Sequence, residues 1–186
     1  MNIKDDFKIA IRMMRVPSNT MEQLRSKTLL DALEFLLIVG AVTALLTPLQ
    51  IYLGYEDVNG LHAGGQAESL ARDLSILLKL GLEWRPVLIE ALYMIILAFS
   101  TLLFHGIFKS IGGKGSIEDT FKMIAYGDAP GLLFGWVPYF ATISAVWSAV
   151  IQLSIGPIVL HRISWAKASI VFSVFIGLGI VDIALS

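Results

Sequence analysis

A tyrosine, an aspartate and a proline sit together in the middle of an apolar stretch, as Tyr126-Gly127-Asp128-Ala129-Pro130. Asp128 comes eleven residues after Ile117, where that stretch begins, so at about 1.5 Å per residue it lies about 16 Å into a membrane-spanning helix. A carboxylate at that depth is costly unless it is neutral, paired or wetted. Two kinds of chemistry suit it. One is a proton or cation site, because broken helices with termini near the midplane are how many transporters hold ions. The other is structural. Pro130 removes a backbone donor, and if the helix breaks there Asp128 becomes the N-cap of a half-helix that starts at Ala129, accepting from the N–H of Gly131. Caps and kinks outnumber ion sites, so the structural role is favoured. Tyr126 is expected to find a hydrogen-bond partner across the bundle.

Glu90 and Asp182 lie near the ends of two other apolar stretches, on the same outward side, and are expected to meet the outer interface or to line a polar vestibule that they share. His62, His105 and His161 are spread over a loop, a span and an interface, with no carboxylate at ligand spacing, so no metal site is expected. Gly112-Gly113-Lys114-Gly115-Ser116 lacks the spacing and the preceding strand of a phosphate loop and reads as a flexible connector. No serine has triad partners. The chain has no cysteine, which excludes disulfides and thiol chemistry. No catalytic residue, metal or cofactor is expected.

These residues are set in an unusually apolar chain. Of 186 residues, 56% are hydrophobic and the mean hydropathy is +0.75, too apolar for a soluble globule. Five apolar segments, at about 33–53, 87–108, 117–137, 139–160 and 165–185, each suit a span of about 20 residues. The predicted class is therefore all-α, a polytopic membrane protein of five transmembrane helices with amphipathic interfacial helices. Residues 29–186 form the membrane domain and residues 1–28 a basic amphipathic segment. No cleaved signal peptide precedes the first span, which is expected to act as an uncleaved anchor.

Residues 3–15 have helical periodicity, with Phe7, Ala10, Ile11 and Met14 on one face and Lys4, Lys8, Arg12 and Arg15 on the other. The basic face suits contact with an anionic membrane surface, and packing on a neighbouring helix fits the pattern equally well. Pro17 ends this helix, and a polar linker with Arg25 and Lys27 follows. The loop 54–86 contains a second amphipathic stretch at 67–83 that is too charged to span.

Eleven of the fourteen Lys and Arg residues fall on the side of the amino terminus, against Arg72, Lys79 and Arg85 on the other. The amino terminus is thus expected in the cytoplasm and the carboxyl terminus outside. Three ladders of small residues at four-residue spacing predict a tight bundle of the last three spans: Gly127, Gly131 and Gly135; Ala141, Ala145 and Ala149; Ser169, Ser173 and Gly177. Gln152 is placed to donate between helices.

Val16-Pro17 before a basic linker, Tyr126…Ala129-Pro130-Gly131-Leu132-Leu133…Pro138, Trp147, and His161…Ser164…Lys167-Ala168 together resemble the Yip1-domain family, over nearly the whole chain from about residue 16. The resemblance implies a five-span integral membrane protein with a cytoplasmic amino terminus. Eukaryotic members are linked to traffic between endoplasmic reticulum and Golgi and to Rab-type GTPases, and carry a longer amino-terminal region. The short segment here departs from that pattern and is similar to the prokaryotic members, which implies a cell-membrane location.

The function expected is non-enzymatic: organising membrane and recruiting other membrane proteins. The expected partners are the lipid bilayer, other membrane proteins and further copies of the chain paired through small-residue faces, with no nucleic acid. The rival is a small transporter or channel for an ion, a proton or a lipid, built on Asp128 and Pro130.

Overall fold

The computed structural model describes residues 3–52, 85–137 and 140–185, all helix and connecting turn with no strand among the described residues. The helices are α1 (Ile3–Arg15), α2 (Pro17–Leu24), α3 (Leu29–Tyr52), α4 (Arg85–Ser110), α5 (Ile117–Gly127), α6 (Ala129–Phe134), α7 (Phe140–Val150), α8 (Gly156–Leu160) and α9 (Trp165–Leu185), with a π-helical turn, Ile151–Ile155, between α7 and α8. The amphipathic stretch 67–83, most of the loop 54–86, Pro138 and Tyr139 lie outside the described residues, as do the side chains of Glu90 and Asp182.

Most helix ends have a local cause. Pro17 ends α1 as expected, but it also opens α2, because its missing N–H is no loss in a first turn. The segment expected as a polar linker therefore begins with two helical turns. Before α3, Thr28 and Asp31 bond reciprocally: Thr28 N–H and Oγ1 donate to Asp31 Oδ2 at 2.8 Å each, and Asp31 N–H donates to Thr28 Oγ1 at 3.2 Å. These bonds hold the Asp31 carboxyl below the usual carboxylate range. Ser116 and Asp119 repeat the arrangement before α5, at 2.9 and 3.1 Å. At the end of α4, Gly112 takes the left-handed φ of 92° and Gly113 N–H closes on the Phe108 carbonyl at 2.7 Å. Pro157 cannot donate to Leu153, and the turn before it widens so that Gly156 N–H reaches Ile151 O.

α5 and α6 form the centre. Every residue from Lys122 to Leu132 is buried. This explains why segment 117–137 is the least apolar of the five: neighbouring helices surround it. α3, α4, α6, α7 and α8 enclose the core, which gathers Phe35, Leu36, Val39, Leu97, Phe108, Met123 and Ile151. The outer helices instead expose apolar side chains, Ile95, Phe99 and Leu102 on α4, Ile143 and Val146 on α7, and Ile170 and Val174 on α9. Among the described residues two helices, Ala91–Ser110 and Phe140–Leu160, can cross a membrane by length and composition, and Trp165–Gly177 is a shorter apolar helix.

Candidate functional site

The chain does bend at Asp128. α5 ends at Gly127 and α6 starts at Ala129, while Asp128 sits between them at φ −80° and ψ −1°. The carboxylate is not the expected cap, because it accepts no backbone bond from α6. Gly131 N–H donates instead to Ser148 Oγ on α7 at 3.1 Å. Asp128 turns toward α4, where the Tyr93 hydroxyl donates to its Oδ2 at 2.8 Å, and the Ser148 hydroxyl is its second partner. A buried carboxylate with two hydroxyl partners ties three helices together.

Gly131 makes that arrangement possible. A Cβ there would stand 3.1 Å from Asp128 Oδ1 and 3.4 Å from Ser148 Oγ. The same antiparallel register continues down the pair, where a Cβ on Gly127 would stand 2.7 Å from Gln152 Cγ and one on Gly156 would stand 2.2 Å from Met123 Cγ. The contacts 131 to 148, 127 to 152 and 123 to 156 advance by four residues on each helix, and Gln152 Nε2 donates to Ile124 O at 3.3 Å. Gly135 is buried as well.

The other two ladders are corrected. On α7 the packed face runs through Ala141, Ser144 and Ser148, while Ala145 and Ala149 are only half-buried. On α9 the inward residues are Ala168 and Val171, and Phe175 meets Phe104 at 5.0 Å between ring centres. Ser173 and Gly177 are exposed and Ser169 is half-buried.

Tyr126 and Asp128 are two residues apart in the chain but belong to different surroundings. The Tyr126 ring lies 4.7 Å from that of Phe35 on α3, and its fully buried hydroxyl has no hydrogen-bond partner among the described residues. The partner expected for it across the bundle is absent there, and it is Tyr93 that reaches Asp128. Pro130 is buried in the first turn of α6.

At the other end of α5 the fold assembles a cluster that chain spacing conceals. His105 Nδ1 and His161 Nε2 each lie 2.9 Å from Thr120 Oγ1. His161 is fully buried, Lys114 N–H donates to its carbonyl at 2.8 Å, and a Cβ on Gly115 would stand 2.7 Å from its Nδ1. The glycine-rich connector is therefore wrapped closely on His161, contrary to its reading as a flexible link. Its donors at Gly113, Lys114 and Ser116 are already bonded, which leaves no phosphate cradle. Burial, then the neighbouring His105 and Lys109 charges, push His161 down to about 4, so it is neutral at pH 7. No three potential metal ligands come together among the described residues.

Lys122 is buried beside this cluster. Its Nζ donates to Arg25 O at 3.1 Å and Lys27 O at 3.2 Å, and pairs with Asp119 at 3.1 Å. Arg25 in turn donates to Val159 O. The amino-terminal segment is thus fastened to the bundle. α1 keeps Lys4, Lys8, Arg12 and Arg15 exposed; of the expected face of Phe7, Ala10, Ile11 and Met14 it buries only Ala10, half-buries Phe7 and Met14, exposes Ile11, and buries Asp6 and Met13 instead. Trp147 Nε1 donates to Met14 O at 3.2 Å.

Two of the described helices are long and apolar enough to cross a membrane, and exposed apolar side chains on α4, α7 and α9 agree with a membrane protein. The Yip1 domain family matches residues 11–186, and the chain belongs to that family. No curated protein and no solved structure matches it.

Proposed function

We propose that this chain is a five-span, non-enzymatic membrane organiser that recruits other membrane proteins, with its amino terminus cytoplasmic and its carboxyl terminus outside. The observation that carries this reading is the state of Asp128. Its carboxylate is engaged by Tyr93 and Ser148 and closed in by Gly131, which suits a bracing role. Outward apolar side chains on α4, α7 and α9 support contact with lipid. So does an apolar hollow of about 350 Å³ between Thr142, Ile143, Val146 and Trp147. The exposed basic residues of α1 suit an anionic leaflet. Pairing between copies would use the outward Ser173 and Gly177 of α9.

Proton and cation flux in proteoliposomes tests the reading, with wild type beside Asp128→Asn. The expected result is no flux in either, with the variant less stable. Flux in wild type that disappears in a folded Asp128→Asn protein overturns it in favour of transport.

A further inference from the structure

The amino-terminal helix carries an acid where its packing face should be apolar. Asp6 is fully buried, and neither carboxylate oxygen has a hydrogen-bond partner among the described residues. On α5, the Tyr126 hydroxyl is equally buried and equally unpartnered among the described residues. An ionised carboxylate left in this state is strongly disfavoured, whereas a protonated one is merely polar. The rest of the helix's seat is apolar: Ala10 and Met13 are buried, Ile9 is packed against the core, Phe7 and Met14 are half-buried, and Trp147 supplies a hydrogen bond at Met14 O. Its outward face, with Lys4, Lys8, Arg12 and Arg15, is already suited to leave for an anionic surface.

We propose that Asp6 is a proton-operated latch: with its carboxyl protonated α1 stays seated on α3, α5 and α6, and loss of the proton releases the helix. The surrounding charges favour this design. Glu34 on α3 and Asp5 on α1 oppose ionisation of Asp6, while Lys27 and the terminal amino group favour it. On α5, Lys122 is committed to Arg25 O, Lys27 O and Asp119, and on α2 Glu22 is paired with Arg25 at 3.1 Å. Burial, followed by Glu34, raises the Asp6 carboxyl above its ordinary range. Seating is therefore complete below the released-state value of about 3.9. It weakens about tenfold per pH unit from there up to the seated-state value and then levels off. The latch does not depend on the number of spans.

The absence of cysteine permits a direct test. Spin labels on the exposed positions Lys8→Cys and Ile143→Cys report the distance from α1 to α7 in uncharged detergent. The expected result is a ratio of released to seated helix that rises at least threefold from about pH 3.5 to pH 8. Asp6→Asn should stay seated throughout, and Glu34→Gln should move the transition to lower pH. An unchanged ratio in wild type overturns the latch, as does an equal rise in Asp6→Asn. A transition that follows sodium rather than pH when choline replaces it also overturns it. If Asp6→Asn fails to fold, wild type and Glu34→Gln decide the matter.

Discussion

The Tyr93 hydroxyl donates to Asp128 Oδ2 at 2.8 Å across 35 positions of chain, and so joins α4 to the bend between α5 and α6. Tyr93 is 3% exposed and Asp128 6%, so water does not replace the bond when it is lost. Tyr93→Phe should lower stability by about 1–3 kcal/mol, the range for stranding a buried polar partner. Asp128→Leu should cost more, because Ser148 loses a partner too. Thermal unfolding in detergent measures both.

The glycines should separate into two groups. Gly127→Ala meets Gln152 Cγ at 2.7 Å, and should cost about 1–3 kcal/mol as overpacking. Gln152→Ala in the same chain should recover part of that loss. Gly113→Ala should not be rescuable by a side-chain change, since the obstacle is the Phe108 carbonyl at 2.7 Å. At Gly106 and Gly177 a Cβ meets no described atom within 4 Å, so alanine should be neutral or stabilise by up to about 1 kcal/mol. A set of melting temperatures distinguishes the groups.

Stability should fall in mild acid through His161. Its value in the folded chain is about 4, against an ordinary 6.5, so the unfolded chain takes up the proton first. The contribution is fully present above pH 6.5 and is lost as pH falls toward 4, by roughly 3 kcal/mol in all. His161→Asn should flatten this part of a stability-against-pH curve while lowering the plateau.

Lys122→Met should loosen the segment between α2 and α3. The lysine amine meets the carbonyls of Arg25 and Lys27, and both of those residues are trypsin sites. Cleavage there should quicken at least several-fold while the rest of the chain stays resistant, as limited proteolysis followed by mass spectrometry would show.

Residue pattern alone determined the helical class, the apolar segments, the bend at Asp128-Ala129-Pro130, the end of α1 before Pro17 and the close approach of Gly127 and Gly131 to the next helix. These follow from local chemistry: proline lacks a donor, glycine lacks a Cβ, and apolar runs of that length have few soluble uses. The reciprocal pairs Thr28–Asp31 and Ser116–Asp119 came from the structure, although a hydroxyl followed three residues later by an acid before an apolar run is a local signal that could have found them. Only the tertiary structure decided which face of each helix turned inward. Asp6 rather than Phe7 is buried on α1, and Val171 rather than Ser173 on α9, because the way each helix packs on its neighbours, and not its own periodicity, sets the inward face. Partners far apart in the chain, Tyr93 with Asp128 and His105 with His161 through Thr120, have no spacing to betray them. They exist because α4 and the end of α8 both pack on α5 and bring their polar side chains to it, a meeting that only the assembled bundle sets.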